Sequence, residues 1–187
     1  MLKNYFYLAI AIFLTSCGGG GGGENTSPPD NNDTTEITSP GSTSGTLTLS
    51  GDDTSLVGTQ LDTGFVGASL AAGSQPDYIV IVDKLSKVTF TEPNVLTPEL
   101  NDPNNAFVAV ITDASESSGF KVISMSIVVN GIKYDYACTS PVSTFIECGL
   151  DSITLDIPNK TVSFNNVLVT NTNTSTVLTL NGTLNWQ

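Results

Sequence analysis

An Asn-Gly pair at residues 130–131 constrains the fold of this chain more than any other feature. Two alternating apolar runs flank it, Phe120 to Val129 and Ile132 to Cys138. Asn and Gly tolerate the positive φ that both central residues of a type I′ turn need, so the runs are predicted to form a tight hairpin. A two-residue loop also fixes the register. The pairs predicted to share one apolar side are Val129 with Ile132, Ile127 with Tyr134, Met125 with Tyr136, and Ile123 with Cys138.

Short strands separated by turn signals continue through residues 45–187, which is the length of one ordinary domain. Alternation or short β-branched runs predict strands at 45–50, Tyr78 to Val82, Val88 to Phe90, Ala106 to Thr112, Ile153 to Ile157, Val162 to Phe164, Val167 to Val169 and Leu178 to Trp186. Residues 66–72 are open between a short helix and an irregular loop, and residues 92–105, with three prolines, are predicted to be a long loop. The sequence therefore predicts an all-β fold, a single antiparallel β-sandwich or barrel-like domain.

The first residues have the pattern of an export signal. Lys3 precedes an apolar stretch, Tyr5 to Leu14, that is much shorter than the roughly 20 residues needed to span a bilayer. Leu14-Thr15-Ser16-Cys17 follows, with a glycine run behind it. These residues resemble the lipobox of bacterial lipoproteins, and the resemblance covers this N-terminal segment alone. It implies that residues 1–16 are a signal peptide, cleaved before Cys17, and that Cys17 carries the lipid.

Gly18 and the residues after it indicate which membrane the protein reaches and how far the domain extends from that membrane. In the enterobacterial lipoprotein pattern an Asp after the Cys retains the protein at the inner membrane, so Gly18 implies passage to the outer membrane. Residues 17–44 contain mainly Gly, Ser, Thr, Pro, Asn and Asp, with Ile37 as an isolated large apolar residue. Such a segment cannot bury enough apolar surface to offset the entropy of ordering. It is predicted to be a disordered tether with a reach of roughly 30 Å.

The charge of the chain excludes several classes of partner. Removal of Lys3 with the signal peptide leaves five lysines against 18 acidic residues, a formal charge of −13. Nucleic acids are poor partners because phosphate binding needs clustered Lys or Arg, and anionic lipid headgroups would repel the domain. The membrane contact is therefore predicted to be the lipid anchor alone.

The residue types that are missing bear on catalysis. The sequence has no Arg and no His, so it lacks both a bidentate clamp for phosphate and the commonest general base and metal ligand. We therefore predict a monomeric module that binds an envelope protein or glycan, or has a structural role, and that is not an enzyme and uses no cofactor. Tyr78, Phe107 and Trp186 are candidates for a sugar or protein site, with membership of the core as the alternative.

Cys138 and Cys148 are the cysteines that remain besides Cys17. In an oxidising compartment such a pair normally forms a disulfide. Pro141 breaks the strand after Cys138, so Cys148 is predicted to return on an adjacent antiparallel strand. Closing so short a loop contributes about 2.5–3 kcal/mol in the chain-entropy model.

A second, shorter resemblance concerns Asp62-Thr63-Gly64, which matches the Asp-Thr/Ser-Gly signature of aspartic proteases. In those enzymes a pair of carboxylates shares a proton and activates water. One copy implies a homodimer like the retroviral enzymes, although Phe65 replaces the usual Ala. The alternative function is therefore an envelope hydrolase that works through Asp62, and the structural interpretation is a polar turn.

Carboxylates in the predicted loops are weak candidates for Ca²⁺, a hard ion that takes several oxygen ligands. The best placed residues are Asn101, Asp102 and Asn104. Further candidates in loops are Asp52, Asp53, Glu99, Asp113 and Glu116. No Asp-x-Asp-x-Asp-Gly loop is present in the sequence, so solvation of loops is the alternative role, and no metal is predicted.

Overall fold

The computed structural model describes residues 35–36, 44–70, 76–91, 95–114, 120–140, 147–148, 153–156 and 158–186. The elements in chain order are β1 (Thr35–Glu36), β2 (Gly45–Gly51), α1 (Thr54–Val57), β3 (Gln60–Leu70), β4 (Pro76–Asp83), β5 (Lys87–Thr91), β6 (Val95–Glu99), β7 (Ala106–Ala114), β8 (Phe120–Val129), β9 (Ile132–Ser140), β10 (Ile153–Asp156), β11 (Thr161–Asn171) and β12 (Val177–Asn185). The predicted signal peptide at 1–16, Cys17 and most of the predicted tether lie outside the described residues. No helix in the described ranges has the length and apolar character needed to cross a bilayer.

Eight strands form a closed antiparallel barrel, in the order β2-β3-β4-β7-β8-β9-β11-β12, with β12 paired to β2. The ring closes where β9 meets β11, through Ala137 opposite Thr170 and Tyr136 opposite Asn171. The predicted all-β antiparallel fold is confirmed, and of the two predicted architectures it is the barrel.

The predicted hairpin is confirmed with its register. All four predicted pairs are observed between β8 and β9. Asn130 and Gly131 have φ values of 52° and 77°, as a type I′ turn requires. Most of the predicted apolar side is buried in the barrel, but Ile132 is 58% exposed because it directly follows the turn, at the open end of the barrel.

The barrel interior is filled by side chains. Alternate residues of the eight strands point inward, as the period of two in β-strands dictates. The fully buried large side chains include Leu47, Ile79, Ile81, Ile111, Ile123, Met125, Tyr136, Leu178, Leu180 and Leu184. Val57 of α1 joins this core at one end of the barrel, and Trp186 joins it beyond the last strand. Gly182 allows β12 to cross close to β2, because a Cβ there would lie 2.5 Å from the Thr46 carbonyl oxygen.

A small second sheet, in the order β1-β5-β6, packs on the outside of β3 and β4. Its contact with the barrel is a separate apolar cluster of Phe65, Val80, Val82, Val88 and Leu96. The continuous apolar run in β4 is thereby explained, because its residues alternate between the barrel core and this cluster. Two residues of the predicted tether, Thr35 and Glu36, pair with β5, so residues before 45 also contribute to this sheet.

The seam between β9 and β11 is filled by the segment that contains Cys148. The Cys148 N–H donates to the Thr139 carbonyl oxygen at 2.9 Å, and the Cys148 carbonyl oxygen accepts from the Leu168 N–H at 3.1 Å. Farther along β11, β10 pairs with residues 161–164 on the same edge of β11, the edge opposite β12. The prediction of an antiparallel return was wrong, since the bridge between Thr139 and Glu147 is parallel. The antiparallel position beside β9 is already occupied by β11, so the returning segment enters the gap between them.

Residues 66–70 of the region predicted as helix or loop at 66–72 belong instead to β3, an eleven-residue strand, and residues 71–72 lie outside the described residues. Glycines hide its alternation in the sequence. A Cβ on Gly67 would lie 2.5 Å from the Phe65 ring, and a Cβ on Gly64 would lie 2.5 Å from the Lys84 Cα. Side chains are therefore excluded at two positions where the period of two would otherwise be visible.

Two further predictions needed correction. The long loop predicted at 92–105 contains β6, whose Pro98 is tolerated because β6 is the edge strand of the small sheet. Residues 165–166 separate two predicted strands, Val162 to Phe164 and Val167 to Val169, but they are a β-bulge within the single strand β11, and Asn166 has a φ of 51°. The bulge keeps Phe164 and Val167 both facing the core, which a regular strand would not do.

Candidate functional site

The predicted disulfide is confirmed. The Cα atoms of Cys138 and Cys148 lie 5.0 Å apart, within bonding range, and both side chains are fully buried. The bond joins β9 to the segment that fills the barrel seam. Its position in the packed core indicates a structural role.

Asp62 lies on the outside of β3, where its carboxylate has two partners. It accepts from the Thr46 hydroxyl and from the Lys84 ammonium, each at 3.2 Å. The Thr63 hydroxyl donates to the Gly45 carbonyl oxygen at 2.7 Å, and Gly64 allows the close approach of β4. Each residue of the Asp-Thr-Gly triplet therefore holds strands together, and among the described residues no second carboxylate shares a hydrogen bond with Asp62.

The Ca²⁺ candidates form a turn that is closed by hydrogen bonds. One Asp102 oxygen accepts from the Asn104 N–H at 2.9 Å, and the other accepts from the Asn105 side-chain amide at 3.0 Å. The Asn105 amide, followed by the Asn104 N–H, holds the pKa of Asp102 below its usual value. The Asn101 N–H donates to the Ser86 hydroxyl. Within the described ranges, no group of three or more His, Cys, Asp or Glu residues lies together in a way that could hold a metal ion.

The three aromatic candidates belong to apolar clusters. Phe107 and Trp186 are buried in the barrel core. Tyr78 packs against the cluster beneath the small sheet, and its hydroxyl oxygen accepts from the Leu96 N–H at 2.9 Å. The alternative role given to them, membership of the core, is the one observed.

The described residues contain a buried polar cluster around Asp53, which the sequence did not reveal. Asp53 is only 5% exposed, and one of its carboxylate oxygens accepts three hydrogen bonds. The donors are the Thr176 hydroxyl at 2.7 Å, the Tyr136 hydroxyl at 2.8 Å and the Asn171 amide at 3.1 Å. The Asp53 carbonyl oxygen also accepts from the N–H groups of Leu56 and Val57. Asp53 therefore fixes α1 to β9 and to the turn between β11 and β12.

The surroundings of this cluster shift two pKa values in opposite directions. Burial alone would raise the pKa of Asp53, but the hydrogen bonds from Thr176, Tyr136 and Asn171 outweigh it, so the pKa is lower than usual. Burial and the neighbouring Asp53 carboxylate both raise the pKa of Tyr136. The stable state is thus an ionised Asp53 beside a protonated Tyr136. No local pattern predicts it, because Tyr136 lies 83 residues from Asp53 in sequence and Thr176 lies 123 residues away.

The barrel has an opening at the end where α1 lies, which we call the α1 end. This end comprises α1, the β4–β5 turn, residues 101–105, the β8–β9 turn and residues 172–176. A cleft of about 260 Å³ lies there. Its lining residues are Val57, Gln60, Leu61, Asp62, Asp83, Lys84, Leu85, Asn105, Ala106, Phe107, Ile127, Val128 and Val129. Its floor is therefore apolar, and the ion pair of Asp62 and Lys84 lies on one wall.

Exposed apolar side chains lie at the cleft or directly beside its lining residues. Leu56 and Leu85 are each 50% exposed, and Ile132 is 58% exposed. Leu85 lines the cleft directly, Leu56 precedes the lining residue Val57, and Ile132 is the cross-strand partner of the lining residue Val129. We call these three side chains the apolar rim. They are three of the four large apolar side chains that are exposed among the described residues.

The fourth, Leu168, is 40% exposed on the barrel wall in β11. Single exposed apolar residues of that kind are normal on soluble proteins, whereas a cluster beside a cleft is typical of a binding surface. The α1 end is therefore the candidate functional site of the described chain. No family model matches this chain, and neither a curated protein nor a solved structure matches it.

Proposed function

We propose that this protein is a lipid-anchored module of a bacterial outer membrane that binds an envelope component, and that it is not an enzyme. The anchor rests on Leu14-Thr15-Ser16-Cys17 behind a short apolar stretch, and the outer-membrane location on Gly18. The buried disulfide between Cys138 and Cys148 supports export, because such bonds persist in oxidising compartments.

The apolar rim around the cleft is the observation that carries the binding role. The barrel interior is filled, so a ligand meets the protein at its surface. Exposing Leu56, Leu85 and Ile132 together has a cost in water of roughly 25 cal/mol per Å² of apolar area, which a bound partner would remove. Elsewhere in the described residues the exposed large apolar side chain is Leu168 alone, which leaves the α1 end as the binding surface.

The anchor is tested by labelling cells with radioactive palmitate and separating their membranes. The wild-type chain should carry the label and fractionate with the outer membrane. Cys17→Ser should lose the label and either leave the membrane or remain uncleaved, whereas Ser16→Ala, which keeps a small residue before the Cys, should behave as wild type. A Cys17→Ser chain that still carries palmitate would overturn the anchor.

The binding role is tested in intact cells with a photo-reactive amino acid placed at Leu85 or, as the matched control, at Leu168. A defined cross-linked product should form from position 85 and not from position 168. The product should disappear when Ile132→Ser is added, because that substitution removes a second contact of the same surface. Equal cross-linking from both positions would count against a binding role for the α1 end.

A further inference from the structure

We infer that the α1 end docks a segment of a partner protein that presents apolar side chains flanked by Lys or Arg. This inference rests on the proposed binding role and names its partner chemistry. Two independent observations carry it: each member of the apolar rim is held on a fixed turn, and the charges around the rim are predominantly negative.

Leu85 is held in place by the neighbouring Asp83. One Asp83 carboxylate oxygen accepts from the N–H groups of Leu85 and Ser86, at 2.9 and 3.1 Å, and the other accepts from the Ser86 hydroxyl. The Ser86 hydroxyl oxygen in turn accepts from the Asn101 N–H at 3.2 Å. The turn that exposes Leu85 is therefore tied both to itself and to the next loop.

Ile132 follows a turn that is clamped by the loop of Asp102. The Asn105 side chain, held by Asp102, accepts from the Asn130 N–H at 3.0 Å. The Asn104 carbonyl oxygen accepts from the Gly131 N–H at 2.9 Å. Both turn residues that precede Ile132 are thus bound to a neighbouring loop.

Leu56 is fixed in the same way, through a third aspartate. It lies in α1, whose first turn is held by Asp53 and its buried partners. A surface whose apolar groups are already fixed loses little conformational entropy on binding, which is how preorganised binding sites gain affinity. Three aspartates, 53, 83 and 102, therefore support the three exposed apolar side chains.

The charge around the rim selects the partner. Among the described residues at or beside these turns, carboxylates outnumber lysines by seven to three. The carboxylates are Asp52, Asp53, Asp62, Asp83, Glu99, Asp102 and Asp135, and the lysines are Lys84, Lys87 and Lys133. Lys84 and Lys133 are already paired with Asp62 and Asp135, at 3.2 and 3.0 Å. A basic partner therefore complements this end.

The same charge argues against three other occupants. A second copy would bring an equally acidic end against this one, and an anionic membrane would repel it. Residues 18–44 of the chain itself carry acidic residues and a single large apolar side chain, Ile37, so they lack both the positive charge and the apolar surface that this end would bind.

The size of the cleft also favours a protein segment over a small molecule. At about 260 Å³ the cleft is smaller than the roughly 300–1,000 Å³ of small-molecule pockets, but it can receive protruding side chains.

The test uses the full-length chain, purified in a non-ionic detergent, and a fluorescent peptide of Leu and Lys whose leucines form one apolar face. Binding is measured by fluorescence anisotropy. Leu85→Ser and Ile132→Ser should each weaken binding about tenfold, the loss expected when one apolar contact is removed. Leu168→Ser, the matched control on the barrel wall, should leave it unchanged. All three side chains are exposed, so the variants should keep the melting midpoint of the wild type.

The control peptides separate this docking from general attraction to an acidic protein. A peptide of the same composition in scrambled order should bind at least about tenfold more weakly. A peptide with Glu in place of Lys should not bind. Equal binding of either control peptide, or an equal loss with Leu168→Ser, would overturn the inference.

Two further outcomes would assign the α1 end to another occupant and overturn the inference. These are self-association that Leu85→Ser abolishes, and binding to phosphatidylglycerol vesicles that Leu85→Ser abolishes. Peptide binding is measured away from the membrane, so its failure would leave the anchor at Cys17 standing. A failure of the anchor would equally leave peptide binding unchanged.

Discussion

At the scale of single residues, the carboxylate of Asp53 joins parts of the chain that are far apart in sequence. Its three donors come from β9, β11 and the turn before β12, and Asp53 itself directly precedes α1. Removing it would leave the Tyr136 hydroxyl and the Asn171 amide buried without an acceptor. Buried polar groups left in that way have a cost of about 1–3 kcal/mol each.

Asp53→Ala should therefore lower the free energy of unfolding by about 2–4 kcal/mol, measured by urea denaturation at neutral pH. Tyr136→Phe, which keeps the carboxylate and removes one donor, should lower it by about 1 kcal/mol. The larger effect of Asp53→Ala should be accompanied by the loss of hydrogen-exchange protection in α1. Equal stability of Asp53→Ala and wild type would show that the cluster does not hold α1.

The pKa shifts of Asp53 and Tyr136 predict how the difference in unfolding free energy between the wild type and Asp53→Ala depends on pH. The pKa of Asp53 is lowered below its ordinary value of 3.8, so its contribution is present above about pH 4 and is lost as pH falls through the folded value. The pKa of Tyr136 is raised above its ordinary value of 10.0, so its contribution is present below pH 10 and is lost above it. The amount by which Asp53→Ala lowers the free energy of unfolding should thus be constant from about pH 5 to 9 and should become smaller below pH 4.

Asp62 provides a test between the binding and hydrolase interpretations. Its carboxylate is bound by Lys84 and Thr46 on the strand surface, so we expect no acid-pH peptidase activity that pepstatin inhibits. Asp62→Ala should change stability by less than about 1 kcal/mol, as is usual for an exposed ion pair. Pepstatin-sensitive cleavage by the purified chain that is lost in Asp62→Ala would favour the hydrolase instead.

At the scale of elements, the seam between β9 and β11 has only two directly paired positions among the described residues. The two strands pair directly at Tyr136 and Ala137, and beyond these pairs Cys148 lies between them and forms hydrogen bonds with Thr139 and Leu168. The disulfide ties that segment to β9, so it restricts how far the seam can open. It also lowers the conformational entropy of the unfolded chain, because it closes the loop between Cys138 and Cys148.

Replacing Cys138 and Cys148 together with Ala should lower stability by about 2–3 kcal/mol and the melting midpoint by several degrees, with the strand content retained. Thiol titration of the oxidised wild type in denaturant should detect neither cysteine. Reduction of the wild type should reproduce most of the loss. Two reactive thiols in the wild-type chain, or an unchanged midpoint, would contradict the assigned role of the bond.

At the scale of the whole molecule, the last strand in the chain, β12, completes the ring by pairing with β2. β12 lies between β11 and β2, and Leu180 pairs with Leu49 across most of the chain length. A barrel without this strand would have two open sheet edges, and it would lose the core side chains of Leu178, Leu180 and Leu184, which would expose the apolar residues that they cover.

Truncation before Val177 should therefore abolish the cooperative thermal transition and expose apolar surface to a hydrophobic dye, as measured by circular dichroism and dye fluorescence. Removal of residues 1–43 should keep the transition, because β2 and the buried Ser44 before it remain. A cooperative transition in the chain that lacks β12 would mean that the ring can close without it.

Much of the local structure followed from the sequence, because a strand that buries one face alternates with a period of two. The Asn130-Gly131 turn determined the β8–β9 register, and the alternation of Leu178, Leu180 and Leu184 determined the inward face of β12. The cysteine pair was predicted from composition and compartment. The period failed where glycines replaced side chains, as at Gly64 and Gly67 of β3.

The candidate site was decided by the tertiary structure. Strand order and ring closure bring α1, the β4–β5 turn and the β8–β9 turn to one end, and no pattern within any one of them encodes that meeting. The sequence by itself therefore determined most of the strands, the hairpin and the cysteine pair, since those depend on neighbours in the chain. The tertiary structure alone decided that Asp53 is buried and that Leu56, Leu85 and Ile132 lie at or beside one cleft, because burial and exposure at a turn depend on residues distant in sequence.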